Sequence, residues 1–172
     1  MNPKPHVMVC GLISSGNRLL QHLLEKCGAY ATISHGPQSV AQEAAKKPAG
    51  AVLIVRSQPF WGNSVVKQGG RLKGLCESMG IRHDPFTQGA MIKALVCELA
   101  STNTAVAAIT YEGLIDDPAS VCEYLCDVFG IAYPAGGLGV DFYDANHLSD
   151  SSKPRHDAKR GVFRTPSGEP RK

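Results

Sequence analysis

The sequence predicts an α/β protein of three layers, α/β/α, with a mostly parallel central sheet of about four to five strands. Three observations carry this. Ala51 to Val55 is a continuous apolar run of strand length, the pattern of a parallel strand buried on both faces. Strand-like runs alternate with helix-periodic stretches along the chain, which implies βαβ units. Near the start, His6 to Leu20 passes from a short apolar strand through a Gly/Ser-rich turn into a helix.

In chain order, Val7 to Cys10 gives the first strand, and Gly16 to about Lys26 gives a helix with Leu19, Leu20, Leu23 and Leu24 at helical spacing, ending near Gly28. Tyr30 to Ser34 is a second strand, closed by the turn signal His35-Gly36-Pro37. Gln38 to Lys47 is Ala-rich and helical, stopped by Pro48. After the strand at Ala51–Val55, Phe60 to Met79 is a weaker helical region interrupted at Gly69-Gly70. Asp84-Pro85, an N-cap and first-position pair, opens a helix to about Ala100. Thr104 to Thr110 is a strand, and Asp117-Pro118 opens a last helix that ends at Phe129-Gly130.

A chain of 172 residues, 43% hydrophobic and 19% charged, is long enough for one domain with a sizeable core. No run approaches 18 apolar residues, and the strand after Met1–Pro5 is too short for a signal-peptide core, so a cytoplasmic protein without membrane contact is the expectation. The six cysteines, Cys10, Cys27, Cys76, Cys97, Cys122 and Cys126, fall inside strands or helices without metal-ligand spacing and read as reduced, mostly buried thiols. Charge is uneven. Asp150 to Lys172 carries seven basic and three acidic residues, +4, against −1 for the remainder. Residues 1–150 thus read as one α/β domain and 151–172 as a basic C-terminal segment, its end rich in Pro and Gly.

Chemistry gathers at three strand ends. A strand feeding a glycine loop into a helix N-terminus is an anion site, because free N–H groups and the positive end of the helix dipole converge there. Gly11 and Gly16 bracket four residues as in a Walker-type loop, but Asn17-Arg18 stands where an NTPase has Lys-Ser or Lys-Thr. His35 ends the second strand, and Arg56 ends the third, with Ser64 eight residues further on. A doubly wound sheet puts all three on one rim, where open α/β sheets bind ligands.

In order and spacing these residues resemble the PAPS-dependent sulfotransferases (PAPS is 3′-phosphoadenosine 5′-phosphosulfate), a family with a P-loop-containing, nucleotide-hydrolase-like fold. Gly11 to Arg18 is similar to the family's 5′-phosphosulfate loop, Gly-x-x-(Lys/Arg)-(Ser/Gly)-Gly-Thr. Arg56 and Ser64 match the pair that holds the 3′-phosphate. Ile33 to Pro37 resembles the strand end that bears the catalytic histidine, with His35 twenty-one residues before Arg56. Ile109 to Pro118 follows the landmark of a strand ending Tyr-Glu-x-Leu before Asp-Pro, and Lys159-Arg160-Gly161 is a charge-equivalent form of a C-terminal triplet that touches the 3′-phosphate.

The resemblance implies a small sulfotransferase that moves a sulfuryl group from PAPS to a hydroxyl or amine on a small-molecule or carbohydrate acceptor, releasing PAP without a metal. It implies His35 as general base and assigns the nucleotide to Gly11, Ser14, Ser15, Gly16, Asn17, Arg18, Arg56, Ser64, Lys159, Arg160 and Gly161. Two positions depart from the pattern: Ser14 stands where the family has Lys or Arg, and Asn17 where it usually has Thr. Arg18, Lys153, Lys159 and Arg160 are the candidates for the missing cation, Arg18 thereby gaining a catalytic role. The substitution at Ser14 also admits a weakly active or inactive relative. Two rival readings stay open, a P-loop-type nucleotide kinase and a non-catalytic module binding nucleotide or, less expected, nucleic acid through the basic segment.

Overall fold

The computed structural model describes residues 3–13, 15–57, 69–81 and 87–138. Of the expected site residues, Ser14, Ser64, Lys159, Arg160 and Gly161 lie outside these, as does the boundary between 150 and 151. Four strands, β1 (His6–Gly11), β2 (Tyr30–Ser34), β3 (Gly50–Val55) and β4 (Val106–Thr110), form one sheet in the order β2-β1-β3-β4, with every neighbouring pair parallel. Among the described residues six helices accompany them: α1 (Asn17–Lys26), α2 (Pro37–Ala44), α3 (Gly69–Ser78), α4 (Thr87–Ser101), α5 (Tyr111–Asp116) and α6 (Pro118–Phe129). The expected α/β/α class is therefore observed, and the expected parallel sheet of four to five strands has four among the described residues.

Side chains on the central strands alternate between two cores. Val7 and Val9 of β1 and Val52 and Ile54 of β3 pack with the leucines of α1 and with Leu114, Leu125 and Phe129 of α5 and α6. Met8, Cys10, Ala51 and Leu53 face the other way, against Val40 of α2, Leu72 and Cys76 of α3, and Met91, Leu95 and Leu99 of α4. Burial on both faces is why β1 and β3 are apolar without alternation.

From β1 the chain crosses outward to β2 through α1, on one face. It then travels back across β1 to β3, through α2 on the other face. Parallel crossovers share one hand, so a reversal of direction moves the connecting helix to the opposite layer. The reversal makes the crevice between the C-terminal ends of β1 and β3 the topological switch point, where open sheets bind ligands. Gly11 pairs with Ile54 there, which sets the glycine loop beside Arg56.

Elements differ from expectation in several places. α2 stops at Ala44, three residues early, because the chain turns through Lys47 in a left-handed conformation (φ 53°) to reach β3. β4 begins at Val106, two residues late. The six-residue α5 was not expected; it starts directly off β4, where the Thr110 hydroxyl accepts from the Gly113 N–H at 3.0 Å. α6 starts and stops as read, with Asp117 accepting from Ser120 N–H at 3.0 Å and Gly130 at φ 65°. Gly50 opens β3 under the Phe129 ring, which a Cβ would strike. Gly50→Ala is expected to cost about 1–3 kcal/mol, read as a fall of several degrees in Tm.

Five cysteines are buried, as expected, and Cys97 is exposed; all six are free thiols. A side-chain hydrogen bond with Cys122, and then burial, hold the Cys27 thiol far above its ordinary range. Burial pushes Cys126 up to about 12. Cys27 and Cys126 therefore sit in the core as neutral, protonated side chains. Among the described residues no cluster of three His, Cys, Asp or Glu could hold a metal ion, and no helix is long and apolar enough to cross a membrane.

Candidate functional site

The site begins where β1 ends. Gly11 has no room for a side chain, since a Cβ would press on the Asn17 amide oxygen and lie 2.8 Å from the Ile54 carbonyl oxygen. The chain turns tightly, with Ser15 N–H donating to Leu12 O at 3.1 Å, and enters α1 through Gly16 at φ 88°, a left-handed conformation that favours glycine. No side chain caps α1, and helix geometry leaves its first-turn N–H groups without intrahelical acceptors. That is the arrangement an anion needs.

Asn17 is buried and braces the loop from within. Its Nδ2 donates to Leu12 O at 2.8 Å and to Gly11 O at 3.3 Å. Its Oδ1 is buried with no hydrogen-bond partner among the described residues. Asn17 was expected to contact the nucleotide in place of Thr; the structure shows its amide nitrogen donating to the loop's own carbonyls.

His35, half-buried after β2, reaches the same carbonyl. Its Nδ1 lies 2.8 Å from Gly11 O. A carbonyl oxygen only accepts, so Nδ1 carries the hydrogen and Nε2 carries the lone pair. The 3.4 Å approach of Asn17 Nδ2 to Nδ1 then sets donor against donor, a contact only, because both amide hydrogens have carbonyl acceptors. The glycine loop thus selects the tautomer of His35 and leaves Nε2 able to accept a proton.

The Arg56 guanidinium lies over the Tyr111 ring, 4.4 Å from Cζ to the centroid. The edge of that ring lies where a Cβ on Gly16 would be. Gln88, buried in the first turn of α4, donates to Arg56 O at 2.6 Å. Glu112 accepts from Ser57 N–H at 3.1 Å and from its hydroxyl at 2.8 Å. The exit of β3 is therefore held from both layers of helices.

The structure brings Gly11, Asn17 and His35 into one cluster and Gly16, Tyr111 and Arg56 into another, joined by the loop. Ser15, almost fully buried, belongs to the turn between them. Arg18 is exposed and lines a cavity of about 330 Å³ with Gln21, His22, Glu25 and Ile33, along the flank of α1 facing β2. Two contributors went unread in sequence. Gln88 lies 32 residues from Arg56 in an unremarkable helix start, with no signal to flag it. Tyr111 stood in plain view as part of a landmark, but its partners did not.

No protein-family model matches the chain, and no curated protein sequence matches it. Among solved structures it is similar to that of mouse sulfotransferase SULT7A1 complexed with PAP. The match has a TM-score of 0.53 at 14% identity and covers 90% of this chain and 68% of the other. At that identity the likeness is one of fold, the α/β fold of a sulfotransferase.

Proposed function

We propose that the chain is a sulfotransferase that moves a sulfuryl group from PAPS to a hydroxyl or amine acceptor. The observation that carries this is the His35–Gly11 hydrogen bond. It fixes a proton-accepting Nε2 beside a loop built for anions, at the switch point of a sheet whose fold likeness is to a PAP-bound sulfotransferase. In this reading the loop Ser14-Ser15-Gly16 and the first-turn N–H groups of α1 take the 5′-phosphosulfate, with Arg18 the candidate for the missing cation. Arg56 and Ser64 hold the 3′-phosphate, which Lys159, Arg160 and Gly161 also contact in this reading.

PAPS carries about four negative charges at neutral pH. Backbone N–H groups match its phosphosulfate, and a planar guanidinium matches its terminal phosphate. As the acceptor oxygen attacks sulfur in line with the bridging oxygen, His35 Nε2 takes the acceptor's proton. The oxygen–sulfur bond to the phosphate breaks, the sulfuryl group passes to the acceptor, and PAP leaves with the bond's electron pair. Positioning and charge stabilisation carry most of such a transfer.

Thermal denaturation with PAP tests the binding half. At a hundredfold excess over Kd the ligand adds about 2.7 kcal/mol of stability, a rise of several degrees in Tm. Arg56→Ala and Ser64→Ala are expected to abolish the rise. Wild-type protein with an unchanged Tm at millimolar PAP overturns the reading.

A further inference from the structure

We infer that the outer face of α6 is a docking surface for the chain's own basic C-terminal segment, residues 151–172. A spacing of four residues sets two ridges side by side along this face. Tyr124 and Val128 form an apolar ridge, 50% and 42% exposed. Glu123 and Asp127, both exposed, form an acidic one beside it. No salt bridge among the described residues involves either acid. The surroundings carry one sign: from Tyr111 to Leu138 the sequence holds five acidic residues and no Lys, Arg or His.

Charge and reach name the occupant. Residues 151–172 hold seven basic and two acidic residues, a net +5 that mirrors the −5 of residues 111–138. Opposite fields of this kind draw two surfaces together and set their register. Val162-Phe163, followed by Arg164, supplies apolar side chains next to a cation, which is what an apolar ridge beside an acidic one calls for. Leu138 packs against the core cluster that contains Leu125 and Phe129, so the described chain reaches α6 itself. The chain from Leu138 to Lys153 can extend about 50 Å. A helix of 12 residues, the length of α6, is about 18 Å long. Lys159, Arg160 and Gly161 are the proposed nucleotide contacts. The docking uses the other basic residues, Lys153, Arg155, Arg164, Arg171 and Lys172, and needs no nucleotide.

Trypsin digestion of the full chain under native conditions, without nucleotide, tests the inference through the cleavage rates after Arg155 and Arg164. Docking withholds these bonds, so the rates follow the undocked fraction. Tyr124→Ser with Val128→Ser is expected to raise both rates about three- to tenfold, and so is Glu123→Gln with Asp127→Asn. All four side chains are exposed, so both double variants should keep the wild-type Tm. Carbodiimide coupling, which joins a carboxylate to a lysine amine with loss of water, identifies the occupant. In a mixture of isotope-labelled and unlabelled wild-type chains, amide links from Glu123 or Asp127 to a lysine of 151–172 are expected within single chains. Links of mixed isotope would place a second copy's segment on the face and overturn the assignment. Wild-type cleavage rates in either double variant overturn it too, as does the lack of any link between α6 and the segment. None of these outcomes bears on the nucleotide reading, which stands or falls on PAP binding.

Discussion

His35→Ala is expected to lower turnover by about 10²–10⁴-fold, the usual contribution of a positioned general base. His35→Gln separates the two tasks of the side chain. A glutamine amide can still donate to Gly11 O, so it keeps the brace on the loop and supplies no base. Both variants should bind PAP, since the proposed nucleotide contacts lie on the loop and Arg56 and not on His35. The loss should appear in kcat with any acceptor that wild type sulfates. A His35→Gln variant with wild-type turnover would show that Nε2 takes no proton in the reaction. The expectation is sharp because the tautomer is set by a neighbour that can only accept, the Gly11 carbonyl at 2.8 Å.

Much of this site was legible because its parts sit at strand ends, and strand ends are marked in the sequence. The run Ala51–Val55 named β3, and a parallel sheet sends its C-terminal ends to one rim; Gly11, His35 and Arg56 follow from that alone. Asp117-Pro118 and Gly130 likewise fixed α6, since a cap and a left-handed stop are local chemistry. The unread parts are those that depend on packing. No period marks the six-residue α5, which exists because Thr110 caps it and Leu114 and Ile115 bury beneath it. The Gly16–Tyr111 contact joins residues from distant elements, and the placed ring adds to the left-handed φ a second reason why Gly16 tolerates no side chain. Asn17 is conspicuous in sequence as part of a ligand loop, and only the folded chain shows its side chain bracing that loop from within.

Asn17→Asp follows from that burial and is expected to have the largest effect on stability. The change is nearly isosteric but replaces a donor with an acceptor facing Leu12 O and Gly11 O, now 2.8 and 3.3 Å from Nδ2. Both carbonyls lose a donor, and an unpaired carboxylate is left in a buried site. The expected cost is roughly 3–5 kcal/mol at neutral pH, measured by chemical denaturation. Asn17→Ala loses the donors without adding charge and should cost about 1–3 kcal/mol.

The pH dependence distinguishes the two variants. Burial and the facing carbonyls disfavour the ionised form, so the introduced carboxyl has a folded-state pKa above its unfolded value of about 3.9. The penalty is then full above the folded pKa, and it shrinks as pH falls toward the unfolded one, where the protonated acid can donate to Leu12 O. The stability gap between wild type and Asn17→Asp should therefore narrow on acidification, whereas the gap for Asn17→Ala should not. A gap for Asn17→Asp that is small at neutral pH, or indifferent to pH, would mean that the amide donates to neither carbonyl. His35 would then be left as the one side chain among the described residues holding the glycine loop at Gly11.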